Sequence, residues 1–443
     1  MPSRSNYVPV SSLGIIAPPT RGSSLTTDLW LEEKQNIDGA EGLWRIHDEL
    51  YDLTEFVERH PGGSEWLELT KGIDITEAFE VHHLSVLPEE MLKKFFVRKA
   101  TTKRNSPFTF EENGFYKTLK KEIRPTLKHL PKQSVNNTNF FCDSMVFILF
   151  FLSTLATYYW NFWLAAVAGL ILGMLTIATH NYLHMKNNYR MYYFQFSMLQ
   201  VREWRISHAL SHHLLTNTIA DLEISMMEPL LFYLPGAKTL KQKIISVIGS
   251  PILWMLFFHL PLLRRLTTAH KCNYKNLKLT DLTGLSLPAF MYFFGGQSLG
   301  SVLLMWNFIL VIGAFYMGFI GQNGAHHHPD IFHDGDNPRA KENYDWGLSQ
   351  LDSIMDHKEV CGNHFLVLIH FGDHCLHHLF PTLDHGTLEH LYPIFEEVLK
   401  KFDANLRFVT QWDTICGNFR QMTRNEANPN PPDLHKYKIK KKH

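Results

Sequence analysis

Charged side chains vanish twice along this chain. No Asp, Glu, Lys or Arg occurs from Ser144 to Met185, a run of 42 residues, or from Leu282 to Pro329, a run of 48. As straight helices these runs would measure roughly 63 and 72 Å, about twice the ~30 Å hydrocarbon core of a bilayer, so each is expected to fold back as a hairpin of two membrane helices. Tyr159, Trp160, Asn161 and Trp163 offer an interfacial turn within the first run, and Gly295-Gly296-Gln297-Ser298 a turn within the second. A third uncharged stretch, Ile244 to Leu263, is 20 residues long but holds Pro251, His259 and Pro261 and runs into Arg264-Arg265. It is expected to lie in the membrane plane or to re-enter. The following segment to Lys278 carries Arg264, Arg265, Lys271, Lys275 and Lys278 and no acid, which marks it as cytoplasmic.

The rest of the pattern divides the chain around these runs. Residues 1–24, rich in Ser, Pro and Gly, predict a disordered lead-in. Residues 25–98 alternate around Leu43-Trp44-Arg45-Ile46 and continue into acidic helical turns, as in a small soluble α+β domain. Residues 99–138 are polar and broken by Pro107, Pro125 and Pro131, and read as a linker with a short helix around Phe115 to Ile123. Residues 139–425 form the membrane part, expected to be all-α with four transmembrane helices, and 426–443 a basic tail.

Composition narrows the chemistry. With 43 basic and 43 acidic side chains the formal net charge is zero, which argues against a nucleic-acid partner. Five cysteines, Cys142, Cys272, Cys361, Cys375 and Cys416, form no C-x-x-C pair, so neither a disulfide framework nor a thiolate zinc site is expected. Histidine is the anomaly, at 26 of 443 residues. Imidazole is therefore the expected ligand if metal is bound.

The histidines cluster by spacing. His60 precedes Pro61-Gly62-Gly63, and His82 and His83 follow after Asp74-Ile75-Thr76-Glu77-Ala78-Phe79. Two glycines let backbone pass close to a flat ligand, and opposed imidazoles would close the axial positions of an iron that passes electrons. In the membrane part, His180 and His184 stand at i and i+4, His208, His212 and His213 form H-x-x-x-H-H, and His374, His377 and His378 form H-x-x-H-H before Leu379-Phe380-Pro381. On α-helices these spacings share a face, except that His213 lies off it and would serve a second metal or need a local distortion. Eight imidazoles exceed what one metal takes, so two metals are the economical count. No Glu-x-x-His occurs in the membrane part, against a carboxylate-bridged bundle site. The boxes can meet on one side of the bilayer only if an even number of spans separates His184 from His374, which is why Ile244 to Leu263 is not counted as a span.

These motifs carry two resemblances. Tyr51-Asp52-Leu53-Thr54-Glu55-Phe56, His60-Pro61-Gly62-Gly63 and Asp74 to Phe79 together resemble the cytochrome b5 domain, which implies haem b with His60 and His83 as axial ligands, or His82 in place of His83. The three boxes, over about Asn139 to Asn418, resemble the membrane fatty-acid desaturases, which implies two non-haem irons on the cytosolic face held by His180, His184, His208, His212, His213, His374, His377 and His378. In the acyl-CoA branch an Asn and a His four residues apart follow the last span; Asn323 and His327 match, with His326 and His328 as competitors. The fusion resembles front-end acyl and sphingolipid desaturases, but their third box usually begins with Gln where His374 stands, and the whole arrangement is most similar to the insect cytochrome b5-related group.

The resemblance implies an oxygen-dependent lipid acyl desaturase, acting on an acyl-CoA or on a sphingolipid or phospholipid acyl chain, with O2 as co-substrate and electrons from NADH through cytochrome b5 reductase. Ligand spacing does not separate this from hydroxylation by the same cofactors, and a haem electron-transfer protein with an idle di-iron site is the reading from another class. The last residues, with Lys440 and Lys441, resemble a dilysine retrieval signal and imply a multi-pass endoplasmic reticulum membrane protein with haem domain, boxes and C-terminus in the cytosol.

Overall fold

A computed structural model describes residues 9–18, 26–341 and 344–432; the Lys440-Lys441 signal lies outside the described residues. The N-terminal unit opens with α1 (Thr27–Ile37), capped by the Thr26 side chain, and a three-stranded antiparallel sheet of β1 (Trp44–Ile46), β2 (Glu49–Tyr51) and β3 (Phe96–Lys99). Between β2 and β3 come α2 (Ser64–Thr70), α3 (Thr76–His82) and α4 (Leu87–Leu92). Its core is built on Trp30, Trp44, Leu53, Leu67 and Phe79.

The segment expected as a linker is packed. α5 (Phe115–Leu127) buries Phe115, Tyr116, Leu119 and Ile123 in the largest hydrophobic core, where Tyr116 meets the Trp346 ring edge-on at 4.9 Å. Polar residues of the same helix serve the fold as well, because Lys120, 1% exposed, and Lys117 both pair with Glu80 of α3. The lead-in is ordered where it is described: Ser11 Oγ and the Ser12 amide donate to the Asp334 carboxylate at 2.8 Å, and Ile15 is buried.

α6 (Lys132–Tyr158) and α7 (Phe162–His180) make the first hairpin, α6 starting twelve residues ahead of the uncharged run because the polar turn from Lys132 continues helically. Asn161 caps α7 by accepting from the Trp163 and Leu164 amides, within the expected interfacial turn. The chain then passes α8 (Val201–Trp204), a π-helical stretch Arg205–His212 and α9 (Leu222–Ser225). α10 (Leu240–Met255) and α11 (His259–Thr268) meet at 86°, with Ile248, Ile252, Leu263 and Leu266 exposed, the geometry of either a broken span or a re-entrant element. α12 (Ser286–Gly295) and α13 (Leu299–Gln322) form the second hairpin around Gly296 and Ser298.

Among the described residues α6, α7 with its following turn, and α13 are long and apolar enough to cross a membrane, and the bent α10–α11 pair would make a fourth if counted as one span. The expected partner of α13 is shorter than expected: α12 has 10 α-helical residues, about 15 Å of rise, because Leu279–Leu285 winds as a 3-10 helix before it. α7 and α13 approach at backbone distance, where a Cβ on Gly173 would lie 2.9 Å from the Gly313 carbonyl oxygen. The cap closes with α14 (Trp346–Ser353), α15 (His364–Ile369), α16 (His374–Leu379), α17 (His385–Leu388), α18 (Tyr392–Lys401) and α19 (Gln411–Thr423).

Candidate functional site

Two imidazoles face each other in the N-terminal unit. His60 ends the 3-10 turn Thr54–Arg59, and its Nδ1 donates to the Gly63 carbonyl at 3.0 Å, a geometry that Gly63 permits at φ +114°. His83 caps α3, its Nδ1 donating to the Phe79 carbonyl at 2.9 Å. Both Nε2 atoms therefore keep a free lone pair. The ring centres stand 6.2 Å apart, and two metal–nitrogen bonds of about 2 Å with the ring radii put opposed imidazole centres about 6 Å apart. Phe56 and Phe79 flank the pair. Burial holds His83 down at about 4, so its ring is neutral and able to ligate. The residues fit a haem clamped between His60 and His83. His82, the alternative, turns onto Trp66, with ring centres 5.7 Å apart.

The membrane-part histidines converge from four stretches of chain. α7 delivers His180, and a 3-10 turn carries the chain to His184. The second box lies on the π-helical stretch, where the His213 amide donates to the His208 carbonyl at 2.9 Å. That i→i+5 winding brings i, i+4 and i+5 to one side, so His213 joins His208 and His212 through the distortion its spacing required. α16 supplies His374, His377 and His378.

Two sets of nitrogen atoms form. His180, His184, His208 and His377 make one group within 4.8 Å of one another, and His212, His326 and His378 make a second. Nε2 of His180 stands 3.0 Å from Nε2 of His377, His208 and His213 are 3.1 Å apart in the same way, and His326 and His374 2.7 Å. Nitrogens bound side by side to one metal at about 2.1 Å lie about 3 Å apart. The His213 ring stacks on His378 at 3.8 Å and so lies between the groups. Both nitrogens of His184 and Nε2 of His378 are buried without a hydrogen-bond partner among the described residues, an arrangement that bound cations would satisfy.

A second layer fixes the rings. Nδ1 of His208 donates to Glu223 at 2.8 Å, Nδ1 of His212 to Asp221 at 2.9 Å, Nδ1 of His378 to the Gln350 side chain at 3.0 Å, and Nδ1 of His326 to the Ser353 carbonyl at 3.2 Å. Each bond leaves Nε2 as the ligating atom. Burial keeps His208, His213, His326, His374, His377 and His378 well below the ordinary imidazole range, hence neutral. His212 is buried too, but the Asp221 and Glu223 carboxylates outweigh desolvation and hold it at about 9. The donor set fits two cations.

Asn323 and His327 are not part of it. The Asn323 amide group donates to the Phe319 carbonyl and accepts from Asn418, while the His327 ring stacks on Tyr233 at 3.7 Å. Their i, i+4 spacing would share a face on a continuing helix, but α13 ends at Gln322 and the turn after it aims His326 at the cluster instead. His328 faces Arg420. His385 is a further neighbour that box spacing misses: its ring centre is 4.3 Å from that of His377 and 5.1 Å from that of His180, and neither of its nitrogens has a hydrogen-bond partner among the described residues. The histidine just beyond Leu379-Phe380-Pro381 was the available signal.

A cavity of about 750 Å3 ends at this cluster. Met226, Met227, Leu253, Trp254 and Met317 line its apolar length, and His208, His212, His326 and His374 border it. The bent α10–α11 pair forms one wall, with Arg264 and Arg265 beside it.

Comparison with known proteins agrees with both halves. Residues 30–101 match the profile of the cytochrome b5-like heme/steroid binding domain, and residues 157–410 that of the fatty acid desaturase family. The chain is 41% identical to the cytochrome b5-related protein of Drosophila melanogaster over 94% of this chain and 96% of that one. It is 25% identical to the probable Delta(5) fatty acid desaturase C of Dictyostelium discoideum, over 85% and 90% of the two chains, and 23% identical to the acyl-lipid (8-3)-desaturase of Mortierella alpina, over 80% and 86%. No solved structure matches significantly.

Proposed function

Because the chain belongs to the fatty acid desaturase family and carries a cytochrome b5-like domain, we propose that it is a membrane-bound, oxygen-dependent lipid desaturase whose own haem domain feeds a histidine-ligated di-iron centre. The observation that carries this reading is the meeting of two imidazole groups at the end of an apolar cavity large enough for an acyl chain. His60 and His83 would hold haem b. His180, His184, His208 and His377 would hold one iron, and His212, His326 and His378 the other, with His213 and His374 beside them. When bound, haem supplies one-electron transfer and the iron pair supplies reductive activation of O2 for removing hydrogen from an unactivated C–H bond.

The chain's own residues set the conditions for that chemistry. Glu223, Asp221, Gln350 and the Ser353 carbonyl keep the proton on Nδ1 of four imidazoles, so that Nε2 faces the centre. The apolar walls exclude water and hold a lipid acyl chain against the boxes, carried as acyl-CoA or within a sphingolipid or phospholipid. Electrons would come from NADH through cytochrome b5 reductase, and the membrane would be that of the endoplasmic reticulum with the haem domain cytosolic, as the basic segment from Arg264 to Lys278 supports. Expression in a desaturase-deficient yeast, with lipid profiling by mass spectrometry, tests the reading. A new unsaturated lipid that disappears in the His377→Ala/His378→Ala variant is the expected result; lipids identical to the vector control would refute it.

A further inference from the structure

The contact between the two halves of the chain is built around one buried guanidinium. Arg205, fully buried, stands three residues before His208 on the π-helical stretch. Its Nε donates to the Leu183 carbonyl at 3.2 Å and its Nη2 to Asn187 Oδ1 at 2.8 Å, so it ties the second box to the loop on either side of His184. Its Nη1 donates to Glu65 of α2 at 2.9 Å, and its plane lies 4.6 Å from the centre of the Trp66 ring. Arg205 therefore touches both halves at once.

The haem-ligand turn rests on the same loop. The Asn187 amide donates to the Gly62 carbonyl at 3.3 Å, and a Cβ on Gly63 would lie 2.5 Å from the Asn187 side chain. Trp66 in turn packs at a tilt against His82, with ring centres 5.7 Å apart, and Nε2 of His82 is buried without a hydrogen-bond partner among the described residues. Around this point Ile206 and Leu210 of the second box pack into the core of the haem domain, Trp30 donates to the Ala220 carbonyl, and Arg202 pairs with Asp28. A buried guanidinium pulled away from Glu65 at each turnover would be left uncompensated. Glu55 and Glu58, on the turn that leads into His60, are exposed.

We infer that Arg205 is a positioning residue that locks the haem domain onto the first box, so that electrons pass within one chain across a fixed contact of Trp66 and His82 instead of by a swinging domain. The inference rests on the desaturase reading above. One electron crosses at a time: the haem goes from ferrous to ferric, the metal centre gains that electron, no bond is made or broken, and NADH through its reductase restores the haem.

The test uses the full-length protein in detergent, loaded with haem and ferric iron and held without O2 or NADH. A light flash on a flavin photoreductant delivers less than one electron per chain to the haem while the haem absorbance is followed; reduction by NADH and cytochrome b5 reductase is measured separately. In the native chain the reduced haem should reoxidise in a first-order phase whose rate does not change with protein concentration. Arg205→Gln should slow that phase at least tenfold, with haem content, iron content and the reductase-driven reduction of haem unchanged. Glu65→Gln, on the haem-domain side and away from the boxes, should slow it several-fold even if Arg205→Gln binds iron poorly. Reoxidation at the native rate in both variants, or a native rate that rises with concentration, overturns the inference and leaves the desaturase reading standing. No reoxidation in the native chain overturns both.

Discussion

His180 and His377, 197 positions apart, meet Nε2 to Nε2 at 3.0 Å. The contact joins the end of α7 to α16, and a cation bound at that point would link the first box to the third. A ligand that binds only the folded state raises its stability by mass action. Stripping iron with a chelator should therefore lower the thermal midpoint of the native protein by several degrees, whereas His377→Ala should begin at the lower midpoint and respond little. Thermal unfolding followed by circular dichroism measures both.

Of the three adjacent histidines His326, His327 and His328, only His326 enters the cluster. His326→Ala is expected to lose about one iron per chain and all lipid product. His327→Phe keeps a ring to stack on Tyr233 and should retain iron and product near native levels. Iron analysis and lipid profiling of the two variants side by side decide the assignment, and the reverse pattern would restore the spacing-based choice of His327.

Glu223 holds Nδ1 of His208 at 2.8 Å and lies 3.8 Å from Nδ1 of His212. Outer-layer partners of this kind are worth about 10- to 100-fold in metal affinity. Glu223→Gln should weaken iron binding within that range, read by competition with a chelator of known affinity, while haem content stays unchanged.

The joint between α3 and α5 should be acid-sensitive. Glu80 is buried, which by itself would raise its pKa, but hydrogen bonding from His47 and the charges of Lys120 and Lys117 outweigh this and lower it from 4.5 to about 2. A carboxyl depressed in the folded state adds stability that is complete above its unfolded value and is lost as the proton binds. The loss should run from about pH 4.5 down to about pH 2. Glu80→Gln removes the nearest carboxylate from buried Lys120, leaving it the Glu80 carbonyl at 2.8 Å and Glu89 at 4.0 Å, and should cost about 3 kcal/mol at neutral pH, measured by denaturant unfolding, with a flatter acid limb than the native chain.

The sequence made the boxes, both hairpin turns and the haem turn legible, because each is a local spacing with a local physical consequence. His213 needed more, since the π winding of Arg205–His212, whose Ile206 and Leu210 pack into the haem-domain core, has no signature in the box spacing. The i, i+4 spacing of Asn323 and His327 assumes a continuing helix, whereas α13 stops at Gln322 and the turn after it brings His326 to the cluster. α12 is short for a related reason: a run without charge reports apolarity, not helical rise, and part of this one is 3-10. The Lys-rich pattern of α5 read as linker because composition does not reveal that Lys117 and Lys120 face a buried carboxylate.

Two imidazole groups beside a bis-histidine clamp predict one haem and two non-haem irons in each chain. The decisive measurement quantifies metals by mass spectrometry alongside haem by its pyridine adduct, in protein purified from an iron-supplemented host. Two non-haem irons for each haem is the predicted result; haem alone, or zinc in place of iron, would contradict it.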